Sequence, residues 1–407
     1  MRRLRAVLAI LLLAVAPAAI GRASPALAAG SKLAADEDRQ ILVMLTMPPP
    51  HFRAGSAYGG NYGDLASRAA RKRRARALAE RFGGQLGEGW PMPLLGVDCY
   101  VMLVPPGRSI DEVIERVAKE PGVAWSQRMY SYAAGSGQVG MSSRDRADPL
   151  YAIEPTATEW KLRELQQTTT GRGIRIAIID SQVDVHHPDL AGQFVANKNF
   201  AGAFATGPEA HGTHVAGIIG ARAGNGIGIA GVAPGAKLMA LRACREVDDG
   251  RATLCQSLAL AKALQFAIEN RANVINLSLS GSRDLLLSKL LDVALARQIT
   301  VVAAFDQHLP GGGFPASMRG VIPVVDEALQ TTPAGVYRAP GRDLPTTQPG
   351  GGWGLVNGTS YAVAQISGLA ALAGEMGRRS FAARLVRASD GKVEACATVF
   401  GRSSRCQ

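Results

Sequence analysis

Between positions 39 and 133 the apolar residues come in short runs that switch between two periods. Positions 41–46, 85–90, 96–104 and 123–130 are strand-like, with β-branched and aromatic residues at close spacing. Positions 64–82 and 109–119 instead follow the helical period. The first of these is strongly basic, and the second is amphipathic with Asp111 and Glu112 in its first turn, where their charge suits a helix N-terminus. The resulting order, βαββαβ, predicts a small α+β domain of the ferredoxin-like, split-βαβ kind. Positions 134–148 are rich in Gly, Ser and charge and lack any period, which predicts an exposed, protease-sensitive linker.

From position 149 onward the pattern changes. Apolar runs at 174–179, 237–242, 274–279 and 300–304 are too continuous for a sheet with one wet face, and helical stretches at 214–221, 257–270 and 284–297 separate them. A further apolar run, 362–373, follows a Gly-Thr-Ser string. This alternation predicts an α/β, three-layer domain over 149–407 whose parallel sheet is covered on both faces. In such sheets active sites form at the carboxyl ends of the strands.

The amino-terminal 29 residues stand apart. Arg2, Arg3 and Arg5 precede an apolar stretch at 6–16, and Ala26-Leu27-Ala28 is a small-residue cleavage pattern, so 1–29 reads as an export signal. Its apolar core is too short for a permanent anchor, and the expected product is a secreted protein, extracellular or periplasmic, with no membrane anchor once the signal is cut. The net charge of +12 invites a nucleic-acid reading, but +7 of it precedes Ala134 and only +5 follows. Aromatic residues make up 5% of the chain and are not interleaved with the basic ones, so no base-stacking platform is expected. Five cysteines fit an oxidising destination. The local pairs Cys244–Cys255 and Cys396–Cys406 are the expected disulfides, with Cys99 left alone.

Three residues carry candidate chemistry. Asp180 closes a buried strand and delivers a carboxylate to the sheet's edge, while His211 opens His-Gly-Thr-His-Val-Ala-Gly just ahead of a helix. Ser360 lies at the mouth of the last apolar helix, where a serine is an ordinary N-cap but also a well-placed nucleophile. Taken singly, a strand-end turn, a helix start and a cap explain them. Their chain order, Asp then His then Ser, is one of the three orders in which serine-hydrolase triads occur. No Gly-x-Ser-x-Gly surrounds Ser360, which argues against a lipase or esterase of the α/β-hydrolase kind.

Around these residues the segments 180–190, 211–217, 231–237 and 357–368 resemble those of subtilisin-like serine proteases, in the same order and at suitable spacing. The resemblance covers about 148–377. It implies an endopeptidase acting on protein or peptide substrates, with Ser360 as nucleophile, His211 as general base and acid, and Asp180 orienting the imidazole. By the order and length of its elements, the region 37–133 resembles the inhibitory propeptide of such enzymes. The implied product is a monomer made as a precursor, with its own propeptide as first partner. Ser278, Leu279 and Ser280 match the family strand that pairs with extended substrate. Gln307 takes the place of the family's oxyanion asparagine, and Asp306 the place of a glycine. The longer Gln307 side chain, and an Asp306 carboxylate if it pointed inward, would weaken oxyanion binding, so a catalytically impaired, protein-binding subtilase fold is the alternative. Asp189 with Ala223, Asn225, Ile227 and Ile229 aligns with the family's structural calcium site, which makes calcium the expected cofactor, with none in the chemistry.

Overall fold

The computed structural model describes residues 38–47, 62–135, 137–141, 148–202, 207–247, 250, 252–329, 331–377 and 381–401. The chain divides into Met1–Arg39, of which only Asp38 and Arg39 are described, and Gln40–Gln407, which holds everything below. The expected export signal therefore lies outside the described residues.

The first elements are β1 (Gln40–Thr46), α1 (Tyr62–Arg81), β2 (Gln85–Met92), β3 (Val97–Leu103), α2 (Ile110–Ala118) and β4 (Val123–Arg128). They match the expected βαββαβ order, and the four strands form an antiparallel sheet in the order β2-β3-β1-β4. Strand β1 sends alternate residues to opposite faces, as the two-residue period of a strand requires. Ile41, Val43 and Leu45 pack with Leu78, Val113 and Val117 of the two helices and with Phe82 just after the first. Leu42 and Met44 join a second cluster, which includes Leu258, Leu287 and Leu290 of the larger domain.

The described part of the expected linker carries strand structure. Strand β5 (Ser131–Gly135) and strand β6 (Gly137–Met141) straddle position 136, and each adds to a separate small sheet.

The larger domain continues with β7 (Arg175–Asp180), β8 (Phe194–Asn199), α3 (Ala210–Gly220), β9 (Lys237–Arg242), β10 (Cys244–Val247), β11 (Ala252–Gln256), α4 (Ser257–Glu269), β12 (Val274–Leu277) and α5 (Leu285–Ala296). After these come β13 (Thr300–Ala304), β14 (Ile322–Val325), β15 (Tyr337–Arg338), β16 (Leu344–Gln348), β17 (Gly352–Asn357) and α6 (Thr359–Glu375). A seven-stranded parallel sheet runs β15-β14-β13-β12-β7-β9-β8. Ile176 and Ile178 face α3 and α6, whereas Ala177 and Ile179 face α4 and α5, which gives the three layers expected from the continuous apolar strands. Helix α6 is buried along nearly its whole length, as a helix apolar on every side must be.

Some local boundaries differ from expectation. Helix α3 begins at Ala210, so His211 lies within its first turn rather than ahead of it. Ser360 is likewise the second residue of α6, and the capping position belongs to Gly358, which has φ 144°. Cys244 and Cys255 are bonded across the β10–β11 hairpin, Cys99 is free and buried, and Cys406 lies outside the described residues.

Candidate active site

Strand β7 ends in Asp180, whose Oδ1 accepts a hydrogen bond from His211 Nδ1 at 2.7 Å. Both side chains are buried, and Asp180 Oδ1 also accepts the Ser181 amide at 2.7 Å. The helix bearing His211 can approach this closely because Gly212 has no side chain: a Cβ there would strike the Ser181 backbone. His211 Nε2 is buried without a hydrogen-bond partner among the described residues. Ser360 Oγ donates to the Ser278 carbonyl at 3.1 Å, and Ser278 Oγ donates to the Ser360 carbonyl at 3.0 Å. The Asp180–His211 pair is thus made, while the Ser360 hydroxyl is engaged with Ser278.

A second layer of charge surrounds the imidazole. Glu246 Oε1 accepts the His211 amide at 2.6 Å, a carboxylate at a helix N-terminus. Behind it, Glu209 receives Arg242 through two nitrogens at 3.1 Å each, together with the amides of Glu246 and Gln182. Burial by itself would lower the His211 pKa, but the charge and hydrogen bond of Asp180, joined by the charge of Glu246, outweigh it and raise the value above that of a free imidazole. His214 behaves oppositely. Burial, reinforced by His211, lowers its pKa to about 3, and its Nδ1 meets the Tyr361 hydroxyl at 3.1 Å, which is the structural hydrogen bond of a neutral ring.

A cavity of about 320 Å³ opens beside Ser360 and is lined in part by Ser278, Leu279, Ser280, Asp306 and Gln307. Ala133 and Ala134 of β5 line it as well. The Ala133 amide donates to the Ser280 carbonyl and the Ser280 amide to the Ala133 carbonyl, each at 3.3 Å. On its other side β5 pairs antiparallel with β11, so it lies between two edges. Tyr132 is 1% exposed; its ring centroid is 6.3 Å from that of Phe314, and its hydroxyl donates to the Ser282 carbonyl at 3.1 Å. Beyond position 136 the chain pairs with β17, Gly137 opposite Asn357 and Met141 opposite Trp353.

Asp306 lines the cavity, and its Oδ1 accepts the His308 amide of its own loop at 2.9 Å. Gln307 is exposed at the cavity.

Of the expected calcium ligands, the two side chains do not present free oxygens to a cation. Asp189 Oδ1 accepts Asn225 Nδ2 at 2.8 Å, and Oδ2 accepts both the Ile229 amide and Trp353 Nε1 at 3.0 Å. Asn225 Oδ1 accepts the Ile227 amide at 3.0 Å, which fixes the orientation of its side chain. A hard cation there needs six or more oxygens pointed inward; three N–H groups point at this carboxylate instead.

Sequence reasoning missed Glu209, Arg242, Glu246, Tyr132 and Trp353. One signal was available for Arg242, a charged residue ending an otherwise apolar buried strand. For the others the partners are distant in sequence.

A parallel α/β sheet with an Asp–His pair at its carboxyl edge and a serine on a buried helix is the layout in which serine hydrolases of the Asp-His-Ser order occur. Residues 171–401 match the profile of the subtilase family, and the chain belongs to that family of serine proteases. Subtilisin from Bacillus pumilus is 35% identical over 228 residues, which are 51% of this chain and 78% of that protein. The intracellular serine protease of Paenibacillus polymyxa is 31% identical over 52% of this chain and 70% of its own length. For subtilisin E of Bacillus subtilis (strain 168) the identity is 34% over 51% of this chain, and only 56% of that protein is spanned. The crystal structure of fervidolysin from Fervidobacterium pennivorans, a keratinolytic enzyme related to subtilisin, aligns with a TM-score of 0.65 at 20% identity, over 88% of this chain and 60% of that one. This last likeness is one of fold.

Proposed function

We propose that this protein is a serine endopeptidase made as a self-inhibited precursor, in which residues 37–133 are the propeptide and the bond to be cut lies between Gly135 and Gly137. One observation carries the reading: the chain's own β5 lies extended beside Ser360, in two-way backbone pairing with Ser280. An extended strand added to an exposed edge is how a peptide substrate is held. Strand β5 enters along Ser280, β6 leaves along β17, and β17 leads through Asn357 to Ser360.

Before attack, the Ser360 proton must leave the Ser278 carbonyl for His211 Nε2. The oxygen then adds to the substrate carbonyl, and the C–N bond breaks as His211 returns the proton to the leaving amine. Water repeats the sequence on the acyl-enzyme. Asp180 holds the ring through Nδ1 and stabilises its cationic form, while the Ser360 amide and the Gln307 side chain supply oxyanion donors.

Residues 1–29 would export the precursor, which then acts as a monomer outside the cytoplasm; among the described residues no helix is long and apolar enough to cross a membrane. The test is the N-terminus of the purified protein, compared between wild type and Ser360→Ala. Wild type should begin at or near position 136 and the variant should stay uncut. Identical processing of both would mean that another protease cuts the chain and would remove the self-inhibition reading.

A further inference from the structure

The loop at 223–229 is where the family resemblance calls for calcium, yet its hydrogen bonds run the other way. We propose that a fixed set of N–H donors, centred on the Trp353 indole, replaces the cation at this place, so that the loop and the strand before the nucleophile are locked together without metal.

The argument begins with the donors. Both oxygens of the fully buried Asp189 are taken, one by the Asn225 amide group and the other by the Ile229 amide and Trp353 Nε1. Turning the Asn225 side chain around, to offer oxygen to a cation, would set that oxygen against the Asp189 carboxylate and its NH₂ against the Ile227 N–H. Each N–H also places its positive end where a cation would sit. Charge-assisted bonds of this kind are about twice as strong as neutral ones, so the three donors offset part of the cost of burying the carboxylate, although burial still holds its pKa above the ordinary carboxylate value.

Shape agrees with charge. Gly228 has φ 54°, and a Cβ there would collide with both the indole nitrogen and Asp189 Oδ2, so the missing side chain is the space the indole edge occupies. A second carboxylate completes the arrangement: buried Asp148 accepts the amides of Gly224, Asn225 and Gly226 at 2.6, 3.1 and 3.3 Å. His187 closes it from the other side. Its Nδ1 accepts the Asp189 amide at 3.1 Å, so Nε2 carries the hydrogen that goes to the Gly352 carbonyl at 2.8 Å, and its ring stands edge-on to Trp353 with centroids 5.2 Å apart. Trp353 and Gly352 belong to β17, the strand that ends three residues before Ser360. The lock therefore ties the loop to the backbone that carries the nucleophile.

Thermal unfolding of the full chain tests this independently of activity, with Ser360→Ala as background to prevent self-cleavage. Midpoints in EDTA and in millimolar calcium should agree to within about 1 °C. Terbium, which emits when it binds beside an excited indole, should give no saturable sensitised signal. In the same background Trp353→Phe, which keeps an aromatic ring and removes the N–H, should lower the EDTA midpoint by about 2 °C or more. A calcium-dependent rise of several degrees that Asp189→Asn abolishes would overturn the proposal. So would terbium emission lost in Trp353→Phe, or an EDTA midpoint unchanged by that substitution.

Discussion

If β5 lies as a substrate lies, a peptide copying residues 131–141 should be cut by the matured protein between the positions matching 135 and 137, and replacing its tyrosine should be costly. Tyr132 is 1% exposed, lies near Phe314, touches Gly281 at a point where a Cβ would collide with its ring, and donates through its hydroxyl to Ser282. Truncating a buried aromatic to alanine costs about 3 kcal/mol at the low end. That loss is roughly a 100-fold fall in kcat/KM for the alanine peptide. A phenylalanine peptide keeps the ring and loses one hydrogen bond, worth about 0.5–1.5 kcal/mol, so its fall should stay within roughly tenfold. Initial rates at peptide concentrations well below KM, with products identified by mass, give both ratios. An alanine peptide cut within about threefold of the parent, or a cut outside 135–137, would refute the claim that β5 occupies the cleft as substrate does.

Two other outcomes follow from the surroundings of the triad. Glu246→Gln removes a charge that helps raise the His211 pKa, and since the base works only when neutral, the rise of kcat/KM with pH should move to lower pH. The stability that His211 gains from these charges is present below the imidazole's unfolded pKa and fades as pH climbs through the folded one, so the variant's deficit should be largest in acid. An unmoved profile in a folded variant would exclude Glu246 from tuning the base. Gln307→Ala should lower kcat by as much as roughly 10²-fold, and Gln307→Asn, which shortens the reach of the same donor group, should be more active than Gln307→Ala. Equal rates for wild type and Gln307→Ala would assign the oxyanion entirely to backbone amides.

Much of this site could be read from the sequence because its parts are local. Asp180 announces itself as a charge ending an apolar strand, and Ser360 stands at the start of an unusually apolar helix. The start of α3 was harder to read, since Gly212 and Thr213 are weak helix formers. Tertiary partners decide it, with the Ser181 hydroxyl accepting the Gly212 amide and Glu246 the His211 amide. The strands at 131–141 left no apolar pattern because edge pairing needs only backbone groups, which Gly and Ser supply as well as any residue. At the expected calcium position, spacing in the sequence placed Asn225 beside Asp189 but did not give the hydrogen bonds between them. Whether an amide offers oxygen or nitrogen, and whether an indole arrives from a strand far along the chain, is decided by packing.

The two-faced strand β1 has a further consequence. Its Leu42 and Met44, with Met92, Val97 and Val101 of the same sheet, are covered in the uncut chain by a cluster that includes residues of α4 and α5. If the chain is cut as proposed, a departing amino-terminal domain would take this apolar surface into water, losing roughly 25 cal/mol for every Å² uncovered. A small domain with one face stripped holds little stability in reserve, so it is more prone to unfold and to be digested than to return. Activation would then run in one direction, like a ratchet, with the inhibitor's own fold as the part that is spent.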